Sequence, residues 1–196
     1  MVKIAIVSGD DFLGDDPRRL CAALAARGQD VTAYVRQTDR PPTGMGPDQG
    51  YRAIGIRVGP ASVRKDADLL PFVGEWAATL ERLWASGQPD VVHAYGWLGG
   101  LAAQLAARRQ NLPTVQTFHD LAVASRPRFA GGQRKVTERE RLEPLLARNA
   151  DWVTVESSAN VDALVMRLDH PQEGAPQRDV PQYDVKQYDV KEPDHG

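Results

Sequence analysis

Lys3–Val7 is a short unbroken run of Ile, Ala and Val, the pattern of a strand buried on both faces. The period then changes. Leu20, Cys21, Leu24 and Ala25 recur at helical spacing within Asp16–Arg27, and Gly28 is placed to end that helix. Val31–Val35 reads as a second strand. Tyr51–Val58 reads as a third, after a Pro/Gly-rich loop over Pro41–Gly50. Phe72, Trp76, Leu80, Leu83 and Trp84 form one helical stripe. Strand and helix signals go on alternating: strand Asp90–Ala94, a small-residue helix Gly99–Arg109, strand Thr114–Phe118 behind Pro113, helix Glu138–Arg148, strand Trp152–Val155. A last helix is predicted over Ser158–Met166, with Ser157 or Ser158 as its cap.

This alternation predicts an α/β fold, a Rossmann-like doubly wound parallel sheet with helices on both faces. Ligands of such sheets bind outside the carboxyl ends of the strands. The loops after Val7, Val58, Ala94 and Phe118 are therefore the places to look for chemistry.

Composition changes the picture at the C-terminus. Residues 169–196 carry seven acids, three bases and four prolines, a net charge of −4, while residues 1–168 stand at +2. The tail holds a tandem repeat, Gln182-Tyr183-Asp184-Val185-Lys186 and Gln187-Tyr188-Asp189-Val190-Lys191, whose five-residue period suits neither helix nor strand. It offers too little apolar surface to offset its ordering entropy. The expected organisation is one domain over 1–168 and a disordered acidic tail over 169–196, with a strand-adding clip as the alternative for the tail. The overall charge of −2 argues against a nucleic-acid binder. Cys21 is the single cysteine, so no intrachain disulfide exists. No apolar run reaches a membrane span and the N-terminus does not read as a signal peptide. A cytoplasmic setting is expected.

Nucleotide motifs fit poorly. The loop Ser8-Gly9-Asp10-Asp11-Phe12-Leu13-Gly14-Asp15-Asp16 lacks the dinucleotide glycine fingerprint, and Asp15 stands where a P-loop needs lysine. Its aspartates serve turn formation and helix capping, or, alternatively, a carboxylate-held metal. Arg36 after the second strand would suit a 2′-phosphate, the feature behind a competing NAD(P)-binding reading. No Cys/His set has zinc spacing and no serine sits in a nucleophile elbow. His93 and His119 end adjacent predicted strands, which raises them above ordinary structural histidines.

The ordered set Pro89-Asp90-Val91-Val92-His93-Ala94-Tyr95-Gly96-Trp97-Leu98-Gly99-Gly100, then Leu112-Pro113-Thr114-Val115-Gln116-Thr117-Phe118-His119-Asp120, resembles the N-terminal domain of retaining GT-B glycosyltransferases of family 4. The nearest likeness is to the actinobacterial branch of inositol-phosphate and sucrose-phosphate-synthase-like enzymes. Lys65-Asp66-Ala67-Asp68-Leu69-Leu70-Pro71 and Glu138-Arg139-Glu140-Arg141-Leu142-Glu143 are similar to further stretches of that branch. The resemblance implies two Rossmann-like domains facing each other across a cleft, the N-terminal one binding acceptor and the C-terminal one binding the nucleotide sugar through a Glu-x7-Glu motif. It places His119 at the reaction centre. It places Lys65 and Arg139 toward an acceptor phosphate, against the plainer reading of both as solvated charge. Tyr95 and Trp97 become a wall for a sugar ring, or core packing. No metal and no cofactor is expected; a nucleoside-diphosphate sugar would be the donor substrate.

The chain also departs from the family. Gly14 fits the first position of a Gly-Gly pair that lets the backbone approach the donor diphosphate, and Asp15 occupies the second. Tyr95-Gly96 replaces a common His-Tyr pair. The donor domain is not among these residues. The resulting expectation is a half-enzyme, inactive alone, that acts on a small-molecule acceptor together with a separately encoded donor domain. A degenerate binding module without catalysis is the alternative.

Overall fold

The computed structural model describes residues 1–9, 15–37, 50–62, 65–119, 121–122 and 136–155. Gly14, the expected helix Ser158–Met166 and the acidic tail 169–196 lie outside the described residues.

Six strands form one parallel sheet: β1 (Lys3–Ser8), β2 (Asp30–Arg36), β3 (Arg52–Ile56), β4 (Val91–Tyr95), β5 (Thr114–Phe118) and β6 (Trp152–Val155). Their order is β3-β2-β1-β4-β5-β6, the doubly wound arrangement expected from the alternation of periods. The helices are α1 (Asp15–Ala26), α2 (Val73–Trp84), α3 (Trp97–Arg109) and α4 (Glu138–Asn149). The chain reverses direction across the sheet between β1 and β4, which are paired through Ile6↔His93 and Val7↔Ala94.

The period of two sorts the strand residues between two apolar layers. Ala5, Val7, Tyr34, Val92, Ala94 and Phe118 face the larger layer, which α2, α3 and α4 complete with Trp76, Leu80, Trp84, Ala103 and Leu146. Ile6, Val31, Ala33 and Val35 face the smaller layer, closed by Cys21 and Leu24 of α1. Cys21 is buried there, and burial pushes its thiol up to about 12, so it is inert at neutral pH.

Local signals explain most boundaries. Gly28 ends α1 with φ +79°, its N–H bonding to Ala25 O at 2.8 Å and that of Gln29 to Leu24 O at 3.2 Å, a Schellman closure. Thr137 opens α4. Its Oγ1 accepts from Glu140 N at 3.3 Å, and its own N–H donates to Glu140 Oε2 at 3.1 Å. Three boundaries differ from expectation. A 3-10 helix over Asp66–Phe72, containing Pro71, precedes α2. α3 begins at Trp97 rather than Gly99, because Gly96 takes φ +68° and turns the chain directly from strand into helix. β3 is also shorter than expected: the Val58 carbonyl accepts from the Arg36 side chain at 3.2 Å instead of joining the ladder.

Candidate active site

β4 and β5 deliver their last side chains to the same place. Tyr95 ends β4, and His119 follows directly on β5. The Tyr95 ring stacks on His93 with centroids 4.8 Å apart and 14° between planes, and meets the His119 ring at 5.4 Å and 31°. Three aromatic rings thus line the carboxyl edge of two neighbouring strands. Tyr95 is 5% exposed and His119 is half-buried. Phe118, just before His119, and Leu121, two residues after it, both sit in the core.

Beneath this row runs a chain of hydrogen bonds. His93 Nε2 lies 2.6 Å from Thr117 Oγ1, which lies 2.5 Å from Thr154 Oγ1, so β4, β5 and β6 are linked through side chains. Burial lowers the His93 pKa to about 4 from an ordinary 6.5, so the ring is neutral at pH 7. The unfolded chain binds this proton near 6.5 and the folded chain near 4. Stability therefore rises with pH across that window and is fully present above about 6.5. Between pH 7 and pH 4.5 the folded protein is expected to lose roughly 2 kcal/mol from this group. Urea titrations at the two pH values check this: the loss should shrink in His93→Gln, and an unchanged pH dependence in that variant would assign it elsewhere.

The other expected residues are distributed as follows. Trp97 is 5% exposed and belongs to the larger apolar layer, the core-packing alternative for this side chain. Lys65 is exposed at the start of the 3-10 helix, its N–H bonding to Asp68 Oδ2 at 3.2 Å. Among the described residues, no hydrogen bond or ion pair links Lys65 to His93, Tyr95 or His119. Asp15 is the first residue of α1. Arg139 lies on the first turns of α4, where its Nε bonds to Glu143 Oε1 at 2.6 Å. Arg36 is buried, donating to the carbonyls of Val58 and Pro60. It ties down the loop after β3, and this corrects the expectation that it would suit a 2′-phosphate.

Residues that sequence reasoning did not single out hold this edge in place. Gln116 is fully buried on β5. It donates to the Gly96 carbonyl at 2.9 Å and to that of Thr117 at 3.1 Å, and accepts from Gln104 at 3.2 Å. Gln104 also donates to the Leu146 carbonyl at 3.0 Å, so one amide pair joins β5, α3, α4 and the turn before α3. Glu143 is buried and accepts from Ala122 N at 3.0 Å, just past His119. A polar residue inside an otherwise apolar stretch was the available signal for Gln104 and Gln116. A shallow cleft among Lys3, Asp30, Arg52 and Ser86 lies at the opposite, amino-terminal edge, where the Arg52–Asp30 ion pair at 3.0 Å lines it.

Next to the β1/β4 switch point, the carboxyl ends of β4 and β5 thus carry one phenol ring, itself packed into the smaller apolar layer, between two imidazoles. Residues 14–173 match the family described as Glycosyl transferase 4-like domain. The chain belongs to that family. It is 32% identical over 117 residues to the D-inositol 3-phosphate glycosyltransferase of Jonesia denitrificans, a match covering 58% of this chain and 28% of that protein. It is 32% identical over 135 residues to the enzyme of the same name from Nocardiopsis dassonvillei, covering 65% of this chain and 31% of that one. The matched part thus spans about a third or less of each of these relatives. The sucrose-phosphate synthase of Thermosynechococcus elongatus superposes with a TM-score of 0.73 at 21% identity, over 85% of this chain and 45% of that one. That likeness establishes the fold, a Rossmann-like α/β domain, in agreement with the resemblance read from the motifs. Among the described residues, no helix of this glycosyl transferase 4-like domain is long and apolar enough to cross a membrane.

Proposed function

We propose that this glycosyl transferase 4-like chain is the acceptor-side half of a retaining GT-B glycosyltransferase, which moves a sugar from a nucleoside diphosphate to a hydroxyl of a small phosphorylated acceptor. The observation that carries the reading is His119, set at the carboxyl edge of β5 against Tyr95, with Phe118 just before it and Leu121 two residues after it in the core. A ring so held can hydrogen-bond a transferring sugar without reorganising as the reaction proceeds. Lys65 and Arg139 supply the cationic contacts to the acceptor phosphate. The curated relatives named for D-inositol 3-phosphate support an anionic polyol as the acceptor class.

The donor site in this reading belongs to a second, facing Rossmann domain. Positioning of donor and acceptor supplies most of the rate, so the chain alone should turn over negligibly. Affinity capture from the source cell, with this chain as bait, is expected to recover a protein with a Glu-x7-Glu Rossmann domain, and the pair should transfer sugar. One observation favours a non-catalytic binding module instead: Asp15 opens α1 where the family carries glycine, and a carboxylate there repels a diphosphate. The same reconstitution decides between the two. A stoichiometric pair without turnover would leave the binding module standing.

A further inference from the structure

Glu143 is a carboxylate 2% exposed within α4, and the reaction described above leaves it without a task. Two of its partners come from different parts of the site. Arg139 Nε donates to Oε1 at 2.6 Å from one helical turn away. The Ala122 N–H donates to Oε2 at 3.0 Å, with a longer approach to Oε1 at 3.3 Å. Ala122 lies three residues beyond His119, and between them Leu121 is sunk in the core. A single carboxylate therefore fastens both the guanidinium assigned to the acceptor phosphate and the backbone segment that carries the imidazole.

A buried ion pair by itself is weak evidence of anything but local structure. The geometry here adds a shared acceptor. Hydrogen bonds to one carboxylate polarise one another, and a change in one donor alters the strength of the other. Arg139 is 29% exposed, so an anion from solvent can reach its guanidinium. A phosphate that draws the guanidinium toward itself leaves more charge on Glu143, and the carboxylate then pulls harder on the Ala122 amide.

We propose that Glu143 is a positioning residue that couples anion binding at Arg139 to the placement of His119. The proposal rests on the acceptor reading of Arg139. Its effect is to bring the reaction centre into order when acceptor is present.

The test uses the full chain, with inorganic phosphate as probe and NMR as readout. In the wild type, phosphate should shift the Arg139 Nε–H, the Ala122 N–H and the His119 ring signals along one saturation curve. Glu143→Gln keeps an oxygen for the Ala122 amide but removes the charge. The Arg139 response should persist while the His119 and Ala122 responses fall about fivefold or more. Arg139→Lys, changed at the partly exposed end of the pair, guards against a folding defect in the first variant. It should bind phosphate and likewise lose the His119 response. An undiminished His119 response in both variants, or a wild-type His119 that ignores bound phosphate, overturns the coupling and leaves the acceptor reading intact. Phosphate that moves no Arg139 signal overturns both.

Discussion

His119→Ala in the reconstituted enzyme is expected to lower kcat by about 100-fold or more, with a much smaller change in the acceptor KM. The split follows from where the groups lie. The acceptor phosphate is assigned to Lys65 and Arg139, which the substitution leaves in place, whereas the imidazole is assigned to the reacting sugar. Interactions made chiefly in the transition state appear in kcat. The fold should survive, because His119 is half-buried while Phe118 and Leu121 on either side supply the core contacts. Steady-state kinetics with a parallel thermal melt measure both quantities. Wild-type turnover in the variant would remove His119 from the reaction centre.

Gly100→Ala is expected to destabilise the chain by about 3 kcal/mol, although it adds one methyl group. A Cβ at this position would lie 2.2 Å from Gln116 Oε1 and 2.9 Å from its Nε2. The glutamine side chain is flexible in principle, but here it is fully buried and cannot move without leaving partners behind. Its displacement would leave the Gly96 carbonyl with the Gly100 amide as its remaining donor and would unpair part of the Gln104 amide inside the protein. Unpaired buried polar groups cost more than the bonds contributed. The companion variant Gln116→Ala removes the clash, so the double variant should be less damaged than the two single losses added together. Denaturant unfolding of the four proteins measures that coupling. Strict additivity would mean that the Cβ is accommodated some other way.

The fold was legible because its signals agree at every level. Ile and Val runs gave the strands, Gly28 gave the end of α1, and the Trp76–Leu80–Trp84 stripe gave the buried face of α2. The 3-10 helix was not legible, since Asp66-Ala67-Asp68 reads as a solvated turn, and the docking of Leu69 into the core is a tertiary contact. The start of α3 was missed because Gly96-Trp97-Leu98-Gly99-Gly100 looks like a loop by composition, whereas the glycines permit close packing. At the site, the positions of Tyr95 and His119 follow from strand ends and were readable. Glu143 was not. Three glutamates and two arginines in Glu138–Glu143 read as one charged surface, and nothing in their spacing says that Glu140 and Glu143 turn inward. That depends on α4 packing beside α3, a tertiary fact.

Six of the thirteen residues of α3 are glycine or alanine, and Gly99, Gly100, Ala102, Ala103, Ala106 and Ala107 are all buried. It packs on α2, on α4 and on strands β1, β4 and β5. Trp97 and Leu98 anchor its first turn in the core, and two glycines weaken it as an isolated helix. Its order is borrowed from its neighbours. Such a helix has no intermediate degree of looseness available: while the surrounding layers stand it is locked, and it opens only when they part. Its backbone amides should thus exchange with solvent at the rate of global unfolding, making the least amphipathic helix of the domain the slowest to fray.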